Sequence, residues 1–87
     1  MPEEPPVTKG RYFVFYYYPD VEIYWNVKTK HYTMKQSNQW VEFANMPNVL
    51  NPDKYYVIIE TGSPSPWNYH AKYKRKYPPY YPPKRKK

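Results

Sequence analysis

The stretch RYFVFYYYPDVEIYWNVK, residues 11–28, decides the fold. Residues 11–18 are almost wholly aromatic or β-branched, a composition that strongly favours a strand. Residues 21–28 alternate between two sets of side chains, which is the period-2 pattern of a strand buried on one face. Pro19-Asp20 lies between these segments and has the chemistry of a tight turn. The stretch therefore predicts two paired antiparallel strands.

Three more strands are predicted further along the chain. Short strands over 31–35 and 39–43 are separated by a polar turn at 36–38, so the first four strands form an antiparallel meander. Residues 45–53 contain two prolines and three asparagines, which indicates a loop. Residues 55–61 then predict a fifth strand, apolar enough to be central in the sheet.

A short helix is predicted after the last strand. Ser65-Pro66 is a favourable helix start, with serine as the N-cap and proline at the first helical position. A helix over 67–77 would place Tyr69, Tyr73 and Tyr77 on one face, and the prolines that follow would end it. The predicted fold is mainly β: a small antiparallel meander of four to five strands with a short C-terminal helix or extended segment.

The chain is predicted to form one domain. Residues 10–77 make a single small β-rich domain, between a flexible N-terminus over 1–9 and a disordered Pro/Tyr/Lys tail over 78–87. The chain has no cysteine and therefore no disulfide, and 22% of its residues are aromatic, so packed rings are expected to stabilise the domain instead. The predicted core residues are Val14, Val21, Ile23, Trp25, Val27, Trp40, Val57 and Ile59.

Tyr24 is predicted to share the other face of its strand with Glu22 and Lys28. A tyrosine there has two interpretations. It could stack on sugars or bases, or it could form a cross-strand aromatic pair that stabilises the sheet.

Charge is sorted along the chain. Residues 10–69 carry five bases and five acids, whereas residues 70–87 carry eight bases and no acid, within a total net charge of +7. A neutral body with a basic tail points to an anionic partner: envelope polysaccharide, lipid headgroups or nucleic acid. A merely solubilising tail is the alternative.

The composition argues against catalysis and against a resident cofactor or metal. His31 and His70 are isolated from any candidate nucleophile or ligand set, and His70 is expected to be a hydrogen-bonded packing residue. We therefore predict a protein that is not an enzyme and binds no cofactor. No apolar run reaches the ~18 residues that a bilayer requires, and no signal peptide is evident, so the protein is either intracellular or has lost a leader.

The C-terminal segment is the candidate binding site. It interleaves rings and cations, the combination with which proteins hold single-stranded nucleic acid through base stacking and phosphate charge. Its compact final cluster would attract any polyanion. The candidate binding residues are Tyr69, Lys72, Tyr73, Lys74, Arg75, Lys76, Tyr77, Lys84, Arg85, Lys86 and Lys87.

A series of short aromatic motifs resembles a family of small uncharacterised bacterial envelope proteins. The motifs are YYYPDV (16–21), YW (24–25), Tyr32, NQWV (38–41), MP (46–47), YYVIIE (55–60), YH (69–70) and YP (77–78). The chain departs from the family pattern at Asn26, at Asn38 in place of the turn glycine, and at Met46 in place of leucine. The resemblance implies export to the periplasm or cell envelope, and it implies no activity and no site residue.

Two functions are therefore expected from the sequence. The first is a non-catalytic, envelope-associated structural or binding module whose basic tail contacts an anionic surface. The alternative is a single-stranded nucleic-acid-binding protein that uses the tyrosines and cations of the C-terminal segment.

Overall fold

A computed structural model describes residues 3–51 and 53–79 and confirms the mainly β prediction. Five antiparallel strands form one open sheet in the order β4-β3-β2-β1-β5. The strands are β1 Phe13–Tyr18, β2 Ile23–Asn26, β3 Tyr32–Gln36, β4 Gln39–Phe43 and β5 Val57–Thr61. The chain then forms a 3-10 turn, Pro66–Tyr69, which leads directly into the helix α1, His70–Lys76.

The first four strands form the meander, and local turn chemistry sets their register. Tyr18 pairs with Ile23 across the first turn. The turn between β3 and β4 consists of Ser37 and Asn38, with φ angles of 50° and 66°. Two consecutive residues with positive φ are typical of the type I′ turn, whose twist matches that of paired strands.

β5 lies at an edge of the sheet, so the prediction of a central fifth strand was wrong. β5 pairs with β1 alone among the described strands, and the Ile58 side chain is 57% exposed. The apolar run over 55–61 suggested a strand buried on both faces, but only its alternate residues, Val57, Ile59 and Thr61, face the core. Ile58 lies on the other side of the strand, beyond the packed part of the sheet.

Both faces of the sheet are covered. One face, here called the helix face, packs against the C-terminal turn and α1, and its buried cluster is Phe15, Tyr17, Tyr24, Ile59 and Tyr73. The opposite face, here called the loop face, packs against the segment between β4 and β5, and its buried cluster is Tyr18, Ile23 and Leu50. The sheet is thus the middle layer of the domain.

This second covered face corrects the predicted core. Only Ile23 and Ile59 of the eight predicted core residues are buried, while the others are intermediate. Tyr24 was expected on an uncovered face but is 0% exposed. It pairs with Tyr17 across the strands, with ring centroids 4.8 Å apart, which is the cross-strand packing interpretation.

The ends of the chain differ from the sequence expectations in detail. Ser65 is the N-cap residue of the 3-10 turn, but its side chain makes no capping hydrogen bond. For the N-terminus over 1–9, flexibility stays a prediction, and the contacts of Glu4 within it are described below. The disorder predicted for the tail falls largely on residues 80–87, which lie outside the described residues. No helix in the described part of the chain is both long and apolar enough to span a membrane.

Candidate functional site

α1 has one packed side and one basic side. Its packed side places His70 and Tyr73 against the helix face, and the following Tyr77 joins them. Its other side exposes four cations at the surface: Lys72, Lys74, Arg75 and Lys76. We call these four cations the basic surface. The remaining predicted cations, Lys84, Arg85, Lys86 and Lys87, lie outside the described residues.

The candidate tyrosines are largely taken up by packing. Tyr73 is only 4% exposed, and Tyr77 stacks on it with ring centroids 6.4 Å apart and planes 9° apart. Tyr69 is half-buried against the same cluster. Stacking of a base on Tyr73 would therefore require α1 to leave the sheet. A cation and a ring of this segment are in cation–π contact, since the Lys76 Nζ lies 5.4 Å from the Tyr77 ring centroid.

Two of the four cations have carboxylate partners. The Lys72 Nζ lies 2.5 Å from the Glu4 Oε1, and the Lys74 Nζ lies 3.7 Å from the Glu22 Oε2. Among residues 3–51 and 53–79, no ion pair joins Arg75 or Lys76 to an acid. The basic surface thus keeps uncompensated positive charge at the C-terminal end of α1, where cations also stabilise the helix dipole.

His70 connects the basic surface to the core. Its Nε2 lies 2.9 Å from the Glu22 Oε1, and its Nδ1 lies 2.8 Å from the Tyr24 hydroxyl. Because a carboxylate only accepts, Nε2 donates to Glu22, and in the neutral imidazole Nδ1 then accepts from the Tyr24 hydroxyl. Glu22 adopts a φ of 57°, a left-handed conformation that costs on the order of 1 kcal/mol for a non-glycine residue. The ion pair with Lys74 and the bond from His70 help to offset that cost.

The sequence of contacts Tyr24–His70–Glu22 has the connectivity of a nucleophile, a base and an orienting acid. These contacts lie within the packed interface between α1 and the sheet. The Tyr24 side chain is fully buried, and burial, helped by nearby acidic and phenolic groups, raises the pKa of its hydroxyl far above the ordinary value. What the contacts do is hold α1 on the sheet, as expected for His70 as a hydrogen-bonded packing residue.

Glu4 forms a second connection between the core and the basic surface. Its side chain is 7% exposed, and it accepts hydrogen bonds from the Thr61 and Tyr73 hydroxyls as well as from Lys72. Burial would by itself raise the pKa of the Glu4 carboxyl, but these donors outweigh burial and leave the pKa below its ordinary value of 4.5. Glu4 is therefore an ionised carboxylate held at the inner edge of the basic surface.

Sequence reasoning did not find Glu4 or Glu22. Glu4 lies in a proline-rich segment predicted to be flexible, and Glu22 was placed on a solvent face by alternation. Their partners are 48 to 69 residues away in the chain, so no local pattern carries the information.

No group of three or more His, Asp or Glu side chains that could hold a metal ion occurs in residues 3–51 and 53–79. Comparison with protein-family models, with curated proteins and with solved structures finds no match to this chain. The resemblance to bacterial envelope proteins therefore stays a prediction.

Proposed function

We propose that this protein is a non-catalytic binding module whose basic surface, together with the cations of the tail, binds an anionic polymer or surface. The observation that carries the proposal is that the two sides of α1 differ: one packs on the sheet and the other is basic and exposed. Its ring-bearing side is locked onto the sheet, while Lys72, Lys74, Arg75 and Lys76 are all exposed on the other side. A short helix that is held on the sheet by its buried side chains thus presents positive charge to solvent at a fixed position.

The charge balance supports electrostatic binding. Arg75 and Lys76 have no acid to neutralise them in the described residues, and four further cations follow in the tail. Clustered positive charge attracts polyanions and accelerates association, without specifying their chemistry. The resemblance to envelope proteins makes an acidic envelope polysaccharide or anionic lipid headgroups the proposed partner, at the periplasmic or envelope location that the resemblance implies.

The non-catalytic part of the proposal is supported by burial. Tyr24 is the hydroxyl that His70 could activate, and it is 0% exposed within the packed helix face. A substrate could reach it only by displacing α1. Reaction chemistry at this position would also require the loss of the bond that holds the helix in place.

Single-stranded nucleic acid is the alternative partner, and the packing of the rings makes it the less favoured one. Sequence-tolerant binding of single strands relies on exposed rings on which bases stack. Tyr73 is buried, and Tyr77 has one face occupied by Tyr73. For a single strand, only the attraction of its phosphates to the surface cations would remain.

The test compares two triple substitutions with equal loss of charge. The first removes exposed cations from α1: Lys74→Ala, Arg75→Ala and Lys76→Ala. The control removes exposed cations elsewhere: Lys9→Ala, Lys28→Ala and Lys30→Ala. Binding to polygalacturonate, to vesicles containing phosphatidylglycerol and to a single-stranded oligonucleotide is titrated at several salt concentrations.

We expect the α1 variant to bind the polysaccharide or the vesicles more weakly and with a shallower salt dependence than the control. Each cation that contacts a phosphate contributes about one unit to the slope of log K against log salt, so three contacts would lower it by about three on anionic phospholipid or nucleic acid. Equal losses in the two variants would contradict a localised basic surface. Tight oligonucleotide binding that survives moderate salt would favour the nucleic-acid alternative.

A further inference from the structure

Three donors from two elements converge on the Glu4 carboxylate. The Thr61 and Tyr73 hydroxyls both donate to Oε2, and the Lys72 ammonium donates to Oε1. Thr61 is 2% exposed and Tyr73 is 4% exposed, so both hydroxyls are fixed in the packed interior. We call these three side chains the cradle. Their donors match the two oxygens of one carboxylate group.

The N-terminal segment brings Glu4 to the cradle through close backbone contact. A Cβ built at Gly62 would lie 2.2 Å from the Pro6 carbonyl oxygen and 2.7 Å from that of Pro5, so only glycine permits this approach. The Arg11 Nε donates to the Gly62 carbonyl at 3.0 Å and secures the other end of the segment. The carboxylate is thus delivered by a part of the chain that is separate from the elements forming the cradle.

We propose that the cradle is a carboxylate-binding site and that Glu4 is its built-in ligand, which a carboxylate of the anionic partner replaces when it binds the basic surface. The inference rests on the proposed function, whose partner class it narrows to carboxylate-bearing polymers. While Glu4 occupies the cradle, it neutralises Lys72 and keeps one of the four surface cations from a partner. Release of the N-terminal segment would free both Lys72 and the cradle.

Chemical rescue tests the cradle without any polymer. Glu4→Ala removes a methylene and a carboxylate, and acetate supplies those same atoms. We expect Glu4→Ala to lower the midpoint of thermal unfolding by about 5 °C or more, and acetate to restore it with saturation, whereas chloride at the same ionic strength does not. Glu3→Ala is the matched control, since Glu3 is an exposed neighbour, and its midpoint should not depend on acetate.

Two results of the rescue experiment would overturn the proposal. One is an acetate effect no larger than that of chloride. The other is an equal acetate effect when Glu4→Ala is combined with Thr61→Val and Tyr73→Phe, since those changes remove two of the three donors. A stronger response to inorganic phosphate than to acetate would overturn the carboxylate class and assign the cradle to phosphate.

Polymer binding separately tests whether a carboxylate of the partner replaces Glu4 in the cradle. We expect Glu4→Gln to bind polygalacturonate about tenfold more tightly than the unaltered chain, because the competing negative charge is gone. An unchanged affinity would overturn replacement of Glu4 by the partner. If no polyanion binds any variant, the proposed function fails, while acetate rescue still decides whether the cradle is a carboxylate site.

Acid titration keeps the inference testable if Glu4→Ala does not fold. The pKa of Glu4 is lowered in the folded state, so its contribution to stability is present above the ordinary value of 4.5 and is lost as the pH falls below it. Glu4→Gln should therefore flatten the fall in stability below that pH, and Glu3→Gln should not. Glu4 is hydrogen-bonded to Lys72 and Tyr73 from α1 and to neutral Thr61 from β5. The other titratable groups along the adjoining grooves are Glu3, Glu60, Tyr69, Arg75, Lys76 and Tyr77. Equal slopes in the two variants would contradict a bound, ionised Glu4.

Discussion

The two faces of the sheet are buried in different ways. The helix face is built from large rings, and the hydroxyls of Tyr24 and Tyr73 reach ionisable partners, His70 and Glu4. The loop face is closed by a smaller cluster in which Leu50, from an irregular segment, packs on Ile23 and Tyr18. Each face removes apolar surface from water, and the helix face in addition ties its core to charged groups.

This difference between the two faces indicates where binding can depend on the stability of the fold. On the helix face, two of the contacts that hold α1 also orient the basic surface: His70 leads to Glu22 and Lys74, and Tyr73 leads to Glu4 and Lys72. Disturbing this face should therefore change both stability and binding. On the loop face the buried side chains connect to no cation of α1 in the described structure, so we expect disturbance there to be local.

The largest effect is expected from Tyr24→Ala on the helix face. Removing a fully buried ring costs about 3–5 kcal/mol, and here the hydrogen bond to His70 is lost as well. A domain of this size rarely has more than about 3–5 kcal/mol of stability from its core. We therefore expect the variant to unfold, seen as loss of a cooperative urea transition and of dispersed amide resonances.

Tyr12→Ala is the matched control for that experiment, because it is the same substitution at a ring that is 54% exposed. A surface change of this kind should alter the free energy of unfolding by about 0.5 kcal/mol. A folded Tyr24→Ala protein with a normal transition would show that the helix face is not the main source of stability.

Leu50→Ala should have a smaller and more local effect on the loop face. Leucine-to-alanine changes in cores cost about 2–5 kcal/mol, and a loop residue that can collapse into the space should fall near the lower limit. The tryptophans report on the two faces separately, since Trp25 packs with the Leu50 cluster while Trp40 and Trp67 pack on the helix face. We expect the Trp25 indole resonance to shift and the other two to stay in place.

Val49→Ala, next to Leu50 but 53% exposed, is the control and should leave all three indole resonances unchanged. Equal shifts of Trp25, Trp40 and Trp67 in Leu50→Ala would mean that the two faces are one cooperative unit.

The part of the fold that the sequence predicted is the part that local chemistry determines. Alternation in 21–28, the Pro19-Asp20 turn and the polar turn at 36–38 act between neighbours, and the meander follows from them. Period-2 reasoning failed for Tyr24 because it assumes one covered face. Whether the second face is covered depends on where α1 and the segment after β4 dock, which alternation within a strand does not encode.

The site shows the same limit. The four cations of α1 lie within five residues, 72–76, and were found as a cluster, but Glu4 is 57 residues from Thr61 and 68 residues from Lys72. Contacts of that separation depend on the packed fold. The buried role of Tyr73 was missed for the same reason, since helical spacing gives a shared face for Tyr69, Tyr73 and Tyr77 but does not say what covers it.

The smallest effects, of about 1 kcal/mol, should have opposite signs in two neighbouring rings of the helix face. Tyr17 and Tyr24 are cross-strand partners, both 0% exposed, yet only the Tyr24 hydroxyl has a hydrogen-bond partner among the described residues. Burial, with a smaller contribution from Glu22, raises the pKa of Tyr17 to about 12, so its hydroxyl stays neutral. Tyr17→Phe removes an unpaired buried hydroxyl and should stabilise the protein, whereas Tyr24→Phe leaves His70 without its donor and should destabilise it.

Urea unfolding of the two variants separates hydrogen bonding from packing, because both keep a buried ring of nearly the same volume. Equal destabilisation would mean that the Tyr17 hydroxyl is paired and that the helix face depends on ring packing alone. Opposite signs would show that the bond from Tyr24 to His70 contributes to the stability of the docked helix. The bond from Tyr24 leads through His70 to Glu22 and Lys74, so its loss should also disorder the part of the basic surface around Lys74. Tyr24→Phe should then weaken polyanion binding while Tyr17→Phe does not, although neither residue is exposed to a partner.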